Sequence, residues 1–193
     1  MLTAAFSLRW LQQGTFAEAT LLERAKAGDE SALNALVLRY RERILNLCFQ
    51  ILRDHDAAED AAPEVFLKTF ARMGQFRGEA DFGTWLYRIG VTNCLQLQRN
   101  FARRQALAPI DPDAEPKAGS SRDFRLDMER RQLLEAALDA LPEVLRLPLI
   151  LREWHSLSYE ELADVLEIPV GTVRSRLHEA RRKIRSHFEE GEL

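Results

Sequence analysis

Six arginines and lysines stand between Val170 and His187 against a single glutamate, and their spacing is helical. At about 100° per residue, Arg174, His178, Arg181, Arg182 and Arg185 share one arc, with Ser175 at its edge. Arg176, Glu179 and Lys183 take the other flank. An arginine fork can bond two acceptors on a base edge at once, while further cations and a hydroxyl can hold phosphate oxygens. The chemistry on offer is therefore nucleic-acid binding, with Arg174, Ser175, Arg176, His178, Arg181 and Arg182 as candidate contacts. A helical hairpin whose arginines only solvate its surface would carry the same charge run. The elements that position the arc have to separate the two readings.

Those elements begin at Leu157. Ser158 is a good N-cap, and Glu161 three residues later completes a capping box. Leu157 and Leu162 fall at the N′ and N4 positions of a hydrophobic staple. Leu162, Val165 and Leu166 give this first helix its buried face, and Pro169 disfavours its continuation. The second helix carries Val173, Leu177, Ala180 and Ile184 as one apolar stripe. A short helix, a three-residue turn and a helix with a basic outer face make a helix-turn-helix. Capping box, staple, turn and one-sided arc together favour DNA over a solvated hairpin.

A second candidate lies upstream. Gly74, Gly78 and Gly83 punctuate a loop around Phe76 and Phe82, and a helix is expected from near Thr84 to Arg103. Leu86, Ile89 and Leu97 point inward on the helical wheel, while Trp85, Arg88, Thr92 and Arg99 share the outer face. Aromatics interleaved with arginines can form a platform on which unpaired bases stack. The same pattern also arises as core plus surface, and the residues alone leave both open.

The rest of the chain reads as helices around two cores. Glu18 to Gly28 forms a short helix with Leu21, Leu22 and Ala25. Asp29 caps a long one whose buried side is Leu33, Leu36, Val37, Tyr40, Ile44, Leu47 and Ile51. Asp56 and Glu59 open a third, with Ala62, Val65, Phe66, Thr69, Phe70 and Met73 inside and Asp60, Glu64 and Lys68 outside. Pro63 interrupts it, and an interior proline costs about 3 kcal/mol, so a kink or a restart is expected there. Residues 105–125 hold three prolines, acids and small polar residues, the composition of a linker. Beyond it come Leu133, Leu134, Ala137, Leu138 and Leu141, then a helix started by Pro142 with a second interior proline, Pro148. The fold class is all-α: two small helical domains, residues 18–104 and 126–188, with an extension over 1–17 and a tail over 189–193.

The chain has 193 residues, 46% hydrophobic and 30% charged, with a formal net charge of −3. An acidic chain with one basic helix points to DNA binding that is specific or delivered by a partner, not to a generic coat protein. Cys48 and Cys94 are isolated in apolar helical contexts and read as buried thiols. No apolar run approaches membrane-spanning length. Arg9 interrupts the apolar residues of the N-terminus without a basic segment before them, so no signal peptide is expected. No Gly-rich phosphate loop, HExxH or Cys-x-x-Cys occurs, and the four histidines lack ligand spacing. The acids at 54, 56, 59, 60 and 64 read as helix-start charge. Neither catalytic residues, a metal, a cofactor nor a small-molecule substrate is expected.

Six segments resemble one family: Asp60-Ala-Ala-Pro-Glu-Val-Phe66, Phe76-Arg-Gly-Glu79, Thr84-Trp-Leu-Tyr-Arg-Ile89, Leu141-Pro-Glu143, Leu157-Ser-Tyr-Glu-Glu161 and Pro169-Val-Gly-Thr-Val-Arg-Ser-Arg176. They are similar to bacterial RNA polymerase sigma factors of the extracytoplasmic-function group, in the family's order. The resemblance implies region 2 before the linker and region 4 after it. It implies that Asp60, Pro63, Glu64, Phe66 and Lys68 dock on the β′ clamp helices of core polymerase. Phe76, Phe82, Trp85, Arg88, Thr92, Asn93 and Arg99 would melt and read the minus-ten element. Region 4 would dock on the β flap and set the recognition helix on the minus-thirty-five element of promoter DNA. The resemblance also implies a cytoplasmic protein serving a stress or envelope-signal regulon, held inactive by an anti-sigma factor that is often membrane-bound. Two positions depart from the pattern: Pro63 stands where the family usually has glutamine, and Thr92-Asn93 where asparagine tends to come first. The alternative is a stand-alone helix-turn-helix regulator that binds operator DNA as a dimer.

Overall fold

The computed structural model describes residues 18–107 and 133–191, with side chains over 18–104 and 133–188. The expected N-terminal extension, almost all of the linker and the last residues of the tail lie outside the described residues. Helix α1 covers residues 18–26. Gly28, at φ +84°, turns the chain into α2 (Glu30–Leu52). Asp29 caps α2 by accepting from the Ser31 and Ala32 amides. Hydrogen bonds from the Ser31 hydroxyl and from Arg24 lower the Asp29 carboxyl to about 2.

Asp54 caps α3 (His55–Ala71), and a 3₁₀ turn (Met73–Gln75) leads to α4 (Phe82–Leu107). The bundle core is Leu36, Ile44 and Leu47 of α2, Val65 of α3, and Leu86 and Cys94 of α4, all fully buried. Gly90 lets α4 approach α2: a Cβ there would stand 2.8 Å from Leu47 Cδ2.

The second bundle holds α5 (residues 133–139), α6 (Glu143–Glu153), α7 (Tyr159–Leu166) and α8 (Val170–Gly191). Its core is built from Leu138, Leu141, Leu151, Leu162, Val173 and Leu177. Among the described residues every secondary-structure element of both bundles is a helix. The two pack together, α4 against α7 and α2 against α6, so that their apolar residues join in one cluster.

The expected restart at Pro63 does not occur, because α3 runs through it uninterrupted. The missing amide would have bonded the Glu59 carbonyl. Both residues lie on the exposed side, where water can take that place. Pro148 also sits inside a continuous helix but is buried. Its freed carbonyl belongs to Val144, which is itself exposed.

Candidate nucleic-acid interface

The helix-turn-helix forms as its sequence dictates. Ser158 Oγ accepts from the Glu161 amide at 3.1 Å, and the Glu161 carboxylate accepts from the Ser158 amide at 2.7 Å. Burial alone would raise the Glu161 carboxyl, but the Ser158 bonds, a bond from the Thr84 hydroxyl and the field of Arg152 hold it below the usual range. The turn closes with Glu167 in the left-handed region at φ 54°, its amide donating to the Ala163 carbonyl. Val173, Leu177 and Ala180 are buried, and Ile184 is half-buried.

That packing sends Arg174, Ser175, His178, Arg181, Arg182 and Arg185 outward together, with Arg176 half-buried on the flank. Two of these arginines are already held by acids. Arg181 bonds Glu153 at 2.8 Å, and Arg182 forks onto Glu179 at 2.7 and 2.9 Å. Arg174 has no ion pair among the described residues, so its guanidinium is presented without a competing carboxylate.

The upstream candidate is built differently. Phe82 meets Tyr40 and Phe76 edge-on, at 5.5 and 5.6 Å, and Trp85 lies 5.2 Å from Phe76. Three aromatics thus lock the loop onto the start of α4. Phe76 is 9% exposed and Phe82 2%, so neither offers a ring for a base to stack on, contrary to the expectation. They support Trp85, which is half-buried at the surface.

Arg88, Thr92 and Arg99 are exposed on the same side of α4 as Trp85. Thr92 Oγ1 donates to the Arg88 carbonyl at 2.8 Å. Asn93 is 4% exposed and turned inward. Its Oδ1 accepts from Lys68 while its Nδ2 has no partner. One residue along a helix rotates a side chain by more than a quarter turn, so Asn93 belongs to the α3–α4 contact and not to a base-reading face.

On α3, Asp60, Pro63, Glu64 and Lys68 are exposed. Phe66 is 7% exposed and packs against Phe70, 6.1 Å away, which removes it from the expected docking contacts. Leu67, 69% exposed, is the large apolar side chain that this outer face presents. Sequence reading passed over Leu67, although a leucine three residues after Glu64 lies among polar outer positions, and that mismatch was the available signal. Among the described residues, no group of His, Cys, Asp and Glu could hold a metal ion, and no helix is long and apolar enough to cross a membrane.

Comparison with known proteins finds two family models, one on each bundle. The Sigma-70 region 2 family model matches residues 36–105, and the Sigma-70, region 4 model matches residues 131–184. The chain belongs to the sigma-70 family. The RNA polymerase sigma-H factor of Pseudomonas aeruginosa is 38% identical over 177 residues, covering 85% of this chain and 90% of that protein. The ECF RNA polymerase sigma-E factor of Escherichia coli K12 is 36% identical over 173 residues, with the same coverage of 85% and 90%. These relatives put this sigma factor in the extracytoplasmic-function group.

Two solved structures share its fold. CnrH, solved in complex with the cytosolic domain of CnrY, matches with a TM-score of 0.69 at 20% identity, over 90% of this chain and 98% of that one. The sigma factor RpoE of Bartonella quintana, solved with the anti-sigma factor NepR, matches with a TM-score of 0.67 at 21% identity, over 81% and 96%. In this sigma factor the aromatic-basic face of α4 falls in region 2 and the basic arc of α8 in region 4. A region 2 fills the place where a stand-alone dimeric regulator would need a ligand pocket or dimer helix.

Proposed function

We propose that this sigma factor directs core RNA polymerase to its promoters through three separate faces and performs no chemistry itself. The outer face of α3 docks on the β′ clamp helices: Leu67 is the apolar anchor, and Asp60, Pro63, Glu64 and Lys68 form its polar rim. Trp85, Arg88, Thr92 and Arg99 of α4 take the unpaired bases of the minus-ten element. Arg174, Ser175, Arg176, His178, Arg181 and Arg182 of α8 take the minus-thirty-five element in the major groove, with region 4 seated on the β flap. An anti-sigma factor, the class of partner named for the Bartonella protein, holds the chain inactive until a stress or envelope signal arrives. The protein works in the cytoplasm, and at the inner membrane where that partner is membrane-bound.

One observation carries this reading: an aromatic-basic face on α4 and a basic arc on α8 stand in one chain of net charge −3. One recognition helix neutralises few phosphates, so binding by the free chain is weak and salt-dependent, with a Kd on the order of 10⁻⁴–10⁻⁶ M. Exposing bases costs about 1.4 kcal/mol of stacking per step, which a protein of this size offsets poorly alone. Core polymerase supplies the remaining contacts and the spacing. Run-off transcription from sheared genomic DNA, with core enzyme and with or without the protein, is the test, beside a gel shift without polymerase. Discrete transcripts that need both components support the reading. Tight, sequence-specific shifts by the protein alone, with no new transcripts, overturn it in favour of an operator-binding regulator.

A further inference from the structure

Among the described residues, two acids hold arginines of the α8 arc, and only one of them stands on α8 itself. Arg181 reaches back to Glu153 of α6, 28 positions earlier, and so fastens α8 to its bundle. Arg182 is held from within the helix, by Glu179 one turn before it. Its Nε donates to one carboxylate oxygen at 2.9 Å and its Nη2 to the other at 2.7 Å. At about 100° per residue, Glu179 lies about 40° beyond Ser175, at the edge of the arc. An acid there is out of place on a face for DNA, because a carboxylate repels phosphate.

The fork shows what this acid leaves free. A guanidinium has five N–H donors, one on Nε and two on each Nη. Glu179 takes the Nε–H and one Nη2–H. The Nη1/Nη2 edge keeps a parallel pair of donors, the kind that meets guanine O6 and N7. Arg182 and Glu179 are 62% and 37% exposed, so that edge is open to an incoming base. The ion pair is neutral as a whole, so it adds little to the sequence-independent part of binding, which comes from neutralising phosphates. A phosphate could take Arg182 only by leaving the carboxylate unpaired against a polyanion. The bonds from Arg182 hold the Glu179 carboxyl below its usual range, so it stays ionised at neutral pH.

We propose that Glu179 is a positioning residue for sequence choice: it sets the free edge of Arg182 on one guanine of the minus-thirty-five element and withholds that arginine from phosphate. The inference rests on the reading of α8 as the minus-thirty-five helix. It divides the arc by role. Arg174, with no carboxylate beside it, brings its full charge to the duplex. Arg182 brings one oriented edge and no net charge, so it adds selectivity more than affinity. Removing the acid therefore has two effects of opposite sign: tighter binding to any duplex and weaker choice of one base.

The test uses the full chain with core polymerase, on one promoter recovered by the run-off assay and on every single-base change across its minus-thirty-five element. Arg182→Ala should lose about tenfold discrimination at one G·C pair, the size of a good bidentate contact. Glu179→Ala should lose most of that discrimination at the same pair, and the double variant no more than Arg182→Ala alone. The swap Glu179→Arg/Arg182→Glu keeps an ion pair but carries the guanidinium on the other residue, so it should not restore the choice. Without polymerase, Glu179→Ala should bind a random-sequence duplex more tightly than wild type, with a salt slope steeper by about one. Equal random-duplex binding overturns the claim that the acid withholds Arg182 from phosphate. Unchanged preference in Glu179→Ala, loss at a different base pair, a uniform loss from Arg182→Ala, or recovery in the swap overturns the positioning role, while transcription by wild type upholds the promoter reading. Absence of transcripts from wild type with core sinks that reading and the positioning role with it.

Discussion

The two faces proposed to bind nucleic acid are built for opposite problems. On the proposed reading, the arc on α8 meets a duplex whose groove is already formed, so it needs only a straight helix with its apolar stripe buried and its arginines outward. Acids hold two of those arginines in place, Glu153 for Arg181 and Glu179 for Arg182, while Arg174 carries no such partner among the described residues. On the same proposal, the face on α4 receives bases that leave a stack, so it needs a firm, partly apolar platform. Phe76 and Phe82 beneath Trp85 supply one, with their own rings turned into the core. The lesson is that aromatic residues near a binding surface divide into those that make contact and those that hold the contact still.

The sharpest way to break that division is Phe82→Ala. Truncating a buried phenylalanine costs about 3–5 kcal/mol, and Phe82 is 2% exposed with three aromatic neighbours. A lowered melting temperature for region 2 is expected, whereas Trp85→Ala should melt much closer to wild type yet lose single-strand binding. Equal melting losses for the two would erase the distinction between platform and contact.

Next in size is the effect of pH on the contact between the bundles. Burial, then the positive charge of Arg43, depresses the His155 imidazole from 6.5 to about 4 in the packed arrangement. The groups facing it are Tyr87 from α4, and Gln50 and Arg43 from α2. A depressed base disfavours its own protonation while packed, so the contact is fully present above pH 6.5 and weakens as pH falls toward about 4. The total loss at the lower limit is about 3 kcal/mol. Scattering across this range should show expansion in acid, and His155→Gln should flatten the profile. An unchanged profile in that variant would assign the acid response to other groups.

On α8, Arg174→Ala should remove about 1–3 kcal/mol of discrimination at one minus-thirty-five position if the fork reads a base. Transcription from a panel of promoter variants measures it, and a uniform loss over all of them would reassign Arg174 to phosphate. Smallest is the pair at the centre of α4. Thr92→Asn should shift minus-ten preference by about one hydrogen bond, roughly 0.5–1.5 kcal/mol. Asn93→Ala should instead lower stability, because it takes away the inner of two acceptors of Lys68, whose other acceptor is Glu64. A change of base preference from Asn93→Ala with a silent Thr92 would mean that the face has been assigned one residue out of phase.

Much of this was legible in the chain because it depends on local rules. The capping box at Ser158, the Asp29 cap, the stripe from Val173 to Ile184 and the inward turn of Asn93 all follow from spacing along a single helix. Pro63 misled because helix rules charge the missing hydrogen bond without asking whether water can replace it, and that depends on which side of α3 faces the solvent. Phe66, Phe76 and Phe82 misled for a related reason: an aromatic ring in a motif looks the same whether it faces a partner or the core. The contacts of Glu161 with Thr84 and of Glu167 with Arg88 span 77 and 79 positions, and no periodicity encodes which helix of one bundle meets which helix of the other.

The cysteines described above have a practical consequence. The thiolate is the reactive form of cysteine, and it forms poorly where the sulfur is buried. Cys48 and Cys94 are both fully enclosed, and a hydrogen bond from the Cys94 thiol to Cys48, with burial second, holds the Cys94 thiol well above its usual range. No other cysteine occurs in the sequence. The folded wild-type chain is thus already a silent background for thiol-directed dyes. A pair of cysteines placed at exposed positions such as Leu38 and His178 would take label selectively, which opens the distance between the two regions to single-molecule ruler measurements without first stripping the native residues.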